Sequence, residues 1–87
     1  MNINYTDYGL RHSYKKHGID RARIERGLEK GIWDIVTEYS TGNDIIFTRD
    51  FIAIVIDEEG NLKTAFVYNR RWYKRKCKQG RSCIAMF

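Results

Sequence analysis

The run Phe51-Ile52-Ala53-Ile54-Val55-Ile56-Asp57-Glu58-Glu59-Gly60-Asn61-Leu62-Lys63-Thr64-Ala65-Phe66-Val67-Tyr68 decides the fold. Side chains alternate across an extended strand, so Phe51, Ala53 and Val55 face one way and Ile52, Ile54 and Ile56 the other. Both sets are apolar, which predicts a central strand covered by helices on at least one side. Glu58-Glu59-Gly60-Asn61 carries the composition of a hairpin loop. Residues 62–68 then return antiparallel, with Leu62, Thr64, Phe66 and Tyr68 expected on one face and Lys63, Ala65 and Val67 on the other.

Upstream, residues 32–39 are rich in β-branched and aromatic side chains and end in the turn-forming Ser40-Thr41-Gly42-Asn43. Residues 45–48 form a short strand, and Arg49-Asp50 a tight turn or bulge. The first half has helical signals. Thr6 can cap a helix from Asp7 to about His17, with Gly18 placed to end it in the left-handed conformation. Asp20 can cap a second helix that stops at Gly31, with Ile19 and Ile24 forming a hydrophobic staple around the cap and Leu28 extending the buried stripe. The expectation is an α+β domain, two N-terminal helices packed on a four-stranded antiparallel sheet, with room for one more strand through residues 84–87.

Eighty-seven residues make one small domain, 1–87. An apolar fraction of 43% with 31% charged residues excludes wholesale disorder. The densest apolar run, 52–56, is far shorter than the ~20 residues a membrane helix needs, so no membrane role is expected. The start of the chain has neither a basic region nor an apolar core of the secretory kind, which suggests the cytoplasm; a fragment cut from a longer chain would read the same way. Cys77 and Cys83 are therefore read as reduced thiols. Their C-x5-C spacing, with His12 and His17 far upstream, matches no usual zinc pattern, and neither metal nor cofactor is expected.

Charge is unevenly placed. The last nineteen residues, 69–87, hold seven Lys or Arg and no acid, whereas the preceding sixty-eight hold nine basic and eleven acidic side chains. The basic segment also contains Trp72 and Tyr73 and follows Tyr68. Cations neutralise phosphates and release counterions, and aromatic faces stack on bases, so an RNA partner is the first inference. Arg70, Arg71, Trp72, Tyr73, Lys74, Arg75 and Lys76 are the candidate RNA contacts, with Arg11 and Arg49 elsewhere. The plainer reading is a solvated tail.

On the first helix His12 and Lys16 stand at i and i+4 and share a face, with Arg11 and Lys15 on a neighbouring one. His17 sits at the helix end. Cleaving RNA at its own 2′-hydroxyl needs a group to take that proton, a group to protonate the 5′-oxygen, and cations for the charged phosphorane. His12, Lys16 and His17 could supply these. Thr64 and Tyr68 share a strand face and could contact phosphate or donate a proton. The plainer alternatives are incidental histidines on a wet helix, and a Thr and a Tyr chosen for strand propensity.

The residues "RHSYKKHG" on the first helix and the closing hairpin "AIVIDEEGNLKTAFVY" give the layout a resemblance, over about residues 8–70, to the small ribonucleases of the barnase, EndoU, colicin and RelE-like superfamily. The form is the one met in phage-borne or polymorphic toxins. The resemblance implies one or two helices before a four-stranded antiparallel sheet, and a toxin-type, metal-independent endoribonuclease that yields a 2′,3′-cyclic phosphate. His12, Lys16, His17, Thr64 and Tyr68 would be its catalytic residues. It also implies a cognate antitoxin or immunity protein. The His-x-x-x-Lys-His cluster departs from RelE-type sites, which rely mainly on Lys, Arg and Tyr. Two other classes fit the same sequence: a non-catalytic nucleic-acid-binding module, and a phage-type inhibitor docking on an acidic protein surface.

Overall fold

In the computed structural model, whose described residues are 2–84, the element order is α1 (Asp7–His17), α2 (Arg21–Lys30), β1 (Ile32–Glu38), β2 (Asp44–Thr48), β3 (Ile52–Ile56), β4 (Leu62–Val67), α3 (Arg70–Lys78) and β5 (Gly80–Ser82). Capping sets the helix starts. The Gly9 N–H donates to Thr6 Oγ1 at 3.0 Å, and the Arg23 N–H donates to Asp20 Oδ1 at 2.8 Å. Gly18 closes α1 at φ 69°, a conformation that penalises any residue with a Cβ. Ile19 and Ile24, on either side of the Asp20 cap, bury in one cluster, as a hydrophobic staple requires.

The strands form a single sheet in the order β4-β3-β2-β1-β5, every pair antiparallel. The fold is α+β with two helices ahead of the sheet, as the sequence predicts, but five strands are present among the described residues. The fifth comes from residues 80–82, which pair with Glu38, Thr37 and Val36 at the sheet edge. Gly80 allows this approach, since a Cβ there would stand 2.3 Å from the Thr37 carbonyl oxygen. Of the strand expected over 84–87, Ile84 instead turns past β5, and residues 85–87 lie outside the described residues.

Both faces of the sheet are buried, each in its own core. On one face Ile46, Ile52, Ile54, Ile56, Leu62 and Ala65 pack with Ile19 and Ile24, with Leu10 and Leu28 at the margin. On the other, Val36, Ile45, Phe47, Ala53 and Tyr68 pack with Tyr73, with Trp72, Cys77 and Phe66 at the margin. The alternation read along β3 is therefore correct, and the second cover is α3. Residues 69–84 of the basic segment are thus not a solvated tail. Asn69 caps α3 by accepting from the Trp72 N–H at 2.9 Å. Trp72, Tyr73 and Cys77 then turn inward while Arg70, Arg71, Lys74, Arg75 and Lys78 stay exposed.

One facing assignment is corrected. Leu62 does not share the Thr64 face, because the β3–β4 register shifts between Val55 and Ile56. Thr64 pairs with Val55 and Leu62 with Ile56, leaving Lys63 as the extra residue of a bulge. The bulge sends Leu62 into the core under α1 and α2. Helix α1 lies directly on this strand: Thr6 Oγ1 donates to the Leu62 carbonyl at 3.0 Å. No helix among the described residues is long and apolar enough to cross a membrane.

Candidate functional site

The C-terminal half of α1 carries the imidazoles. The His12 and His17 rings stack with centroids 6.0 Å apart and an interplanar angle of 15°. Tyr8 meets His12 edge-on at 5.7 Å, and His17 rests 5.2 Å from the ring of Phe66 on β4. Tyr8, Arg11, His12, Lys15 and Lys16 line a shallow depression of about 520 Å³. His17 loses hydration at this edge and faces the charges of His12 and Lys16, which together hold its pKa below the usual imidazole value. A neutral imidazole at pH 7 is suited to accept a proton. Phe66 touches Trp72 of α3 at 5.0 Å, so the histidine edge adjoins the sheet face that the basic helix covers.

The two hydroxyls expected to complete this set are placed differently. Thr64 shares the strand face of Phe66, but its Oγ1 is buried and has no hydrogen-bond partner. Tyr68 is 8% exposed and its hydroxyl donates to the Thr48 carbonyl at 2.6 Å. Burial and the Asp50 carboxylate, opposed by Arg70, keep the Tyr68 phenol protonated well beyond neutral pH. Tyr68 thus locks the β2–β3 turn, and His12, Lys16 and His17 are brought together without it.

The predicted RNA contacts on α3 also divide. Tyr73 is 5% exposed, with its hydroxyl donating to Asp34 Oδ2 at 2.7 Å. Burial, then that carboxylate, raises its pKa far above the ordinary phenol value. Trp72 is half-buried, 5.8 Å from Phe47. Lys76 is paired with Glu38 at 2.9 Å. All three anchor α3 to the sheet, and none is a freely exposed contact. The helical spacing of Trp72, Tyr73 and Cys77 within a basic run was the available signal for this, since positions one turn apart share a face. Arg70, Arg71, Lys74, Arg75 and Lys78 line one exposed strip.

A second concavity, of about 450 Å³, lies where the starts of β1 and α3 meet the β2–β3 turn. The buried Tyr68 and Tyr73 line it. Trp33, 37% exposed, and Phe51, 45% exposed, line it as well. Arg49, Arg70 and Lys74 border it. The Arg49 guanidinium sits 5.7 Å from the centre of the Trp33 ring. The turn beneath is rigid: Thr48 Oγ1 donates to Asp50 Oδ1 at 2.6 Å, Arg23 pairs with Asp50 Oδ2 at 2.8 Å, and the Ile52 N–H donates to Thr48 Oγ1 at 2.9 Å. Burial opposes the Asp50 charge, but the bonds from Thr48 and Arg23 outweigh it and hold the carboxyl below its usual range. The sequence reading named Arg49, Arg70 and Lys74 but missed Trp33 and Phe51.

Cys77 and Cys83 are free thiols, with burial raising the pKa of Cys77. Among the described residues no group of three or more His, Cys, Asp or Glu side chains is placed to hold a metal ion. No family model matches the chain, and no curated protein or solved structure matches it.

Proposed function

We propose that the protein is a toxin-type endoribonuclease that cleaves cellular RNA through the 2′-hydroxyl without a metal. The observation that carries this reading is the His12–His17 pair, stacked at 6.0 Å, beside Arg11, Lys15 and Lys16. His17, kept neutral by its surroundings, accepts the 2′ proton. His12, five residues back on the same helix, donates a proton to the 5′-oxygen as the 2′,3′-cyclic phosphate forms. Lys16 and Arg11 balance the charge gained by the phosphorane. The cationic strip of α3 holds the flanking backbone. The substrate is RNA in the cytosol. The expected protein partner is an antitoxin or immunity protein that covers the histidine edge.

The test is incubation of purified protein with tRNA and ribosomal RNA in EDTA. Cleavage to cyclic-phosphate ends, lost when His12 and His17 are both replaced by Ala, supports the reading. Intact RNA at micromolar protein overturns it, as does cleavage that survives the double replacement.

A second reading is a binding module without turnover. The burial of the Thr64 and Tyr68 hydroxyls favours it, because both are withdrawn from any bound phosphate. It predicts salt-sensitive RNA binding with no products and no response to histidine replacement.

A further inference from the structure

Two backbone irregularities converge on the cleft between Trp33 and Phe51. In β1 the register shifts between Ile32 and Asp34, leaving Trp33 as the extra residue of a bulge. Bulges re-aim side chains and disrupt the ladder locally. In the same cleft Phe51 has φ 70° and is the one non-glycine residue at positive φ among the described residues. It follows the tight turn at Arg49-Asp50, closed by the Phe51 N–H donating to the Thr48 carbonyl at 3.2 Å. In hairpins where a type I turn is followed by a left-handed residue, that residue is ordinarily Gly. A bulky residue there is strained, and strain kept in a folded protein points to a role for the side chain. The Phe51 ring rests 5.5 Å from the buried Tyr68 ring yet stays 45% exposed.

The surroundings define the ligand. Two exposed aromatic side chains, Trp33 and Phe51, line the cleft with two buried tyrosines whose hydroxyls are engaged elsewhere, with Thr48 and Asp34. Arg49, Arg70 and Lys74 form no ion pair among the described residues and border the same space. Arg70 and Lys74 also belong to the exposed strip of α3, so the cleft opens onto a cationic track. Flat π-faces with anion-binding groups alongside match a nucleotide. The continuing track matches a polymer more than a free mononucleotide. A volume of about 450 Å³ suits one base and its sugar. We propose that this cleft binds an unpaired nucleotide of single-stranded RNA, its base between Trp33 and Phe51 and its flanking phosphates on Arg49, Arg70 and Lys74. The inference deepens the RNA reading above but does not depend on cleavage, because His12 and its cationic neighbours line a separate depression.

The experiment uses the full chain with His12 and His17 replaced by Ala, so that the probe survives, and a labelled single-stranded RNA octamer followed by fluorescence anisotropy. Binding should exceed that of the matching duplex. Trp33→Ala should weaken it about tenfold with an unchanged salt slope, whereas Trp33→Phe should retain most of the affinity. Lys74→Ala should lower the slope of log K against log salt by about 0.7. Phe51→Gly should weaken binding while the melting temperature holds or rises, which separates a ligand contact from a structural one. Equal affinity for duplex and single strand overturns the proposal. So does indifference to both Trp33→Ala and Phe51→Gly, or equal binding of polyglutamate. Wild-type cleavage without single-strand binding defeats this inference alone; binding without cleavage defeats only the ribonuclease reading.

Discussion

The Tyr73 hydroxyl donates to Asp34 Oδ2 at 2.7 Å and so ties the basic helix α3 to strand β1. The same carboxylate accepts from Ser82 Oγ of β5 and from the N–H groups of Ile35 at 2.7 Å and Ile84 at 3.3 Å. Asp34 is 2% exposed, so each donor compensates the cost of burying its charge. Tyr73→Phe should cost about 1–3 kcal/mol in urea unfolding, and Asp34→Ala more, because that change leaves several buried donors without an acceptor.

Gly9 sets the seat of α1. A Cβ at this position would lie 2.1 Å from the Leu62 carbonyl oxygen, in backbone that cannot swing aside. Gly9→Ala should therefore lower unfolding stability by about 3 kcal/mol or more. It should also move the His17–Phe66 contact, read as a change in the His17 ring signals.

Thr64→Val tests the orphaned hydroxyl. Removing a buried polar atom with no partner while keeping the side-chain shape should raise stability by about 1 kcal/mol in thermal or urea unfolding. If Thr64 serves the reaction, turnover of RNA falls in this more stable variant. Equal turnover assigns Thr64 to the fold alone.

His17 gives a pH signature. Its pKa is lowered in the folded chain, first by burial, then by His12 and Lys16. Its contribution to stability is therefore complete above the unfolded imidazole pKa, near 6.5. It declines as pH falls from there to the lower folded value, where both states are protonated. His12→Asn removes one repulsion, so the His17 ring proton should titrate at higher pH by NMR. If the chain cleaves RNA as proposed, the acid limb of its pH profile should track the His17 titration in the wild type.

Much of the frame was legible because its signals are local. Thr6, Gly18 and Asp20 declare helix ends through their own backbone chemistry, and Ile52, Ile54 and Ile56 declare a buried face by period. The facing of Leu62 was not legible, since the bulge at Lys63 depends on how β4 meets β3 and α1. Trp72 and Tyr73 read as base-stacking groups because a basic run masks a short amphipathic stripe. Only the empty second face of the sheet explains why α3 turns them inward.

The sequence by itself determined the α+β class, the capped helices, the central strand and the concentration of charge near the end of the chain. Each of these follows from neighbours a few residues apart. Tertiary structure alone decided which aromatics are core and which are exposed, and that Trp33 and Phe51, eighteen positions apart, face one cleft. It also placed Tyr68 and His12 in different concavities. Such relations arise from register, bulges and the packing of α3 on β1 and β2, which join residues that no local pattern connects.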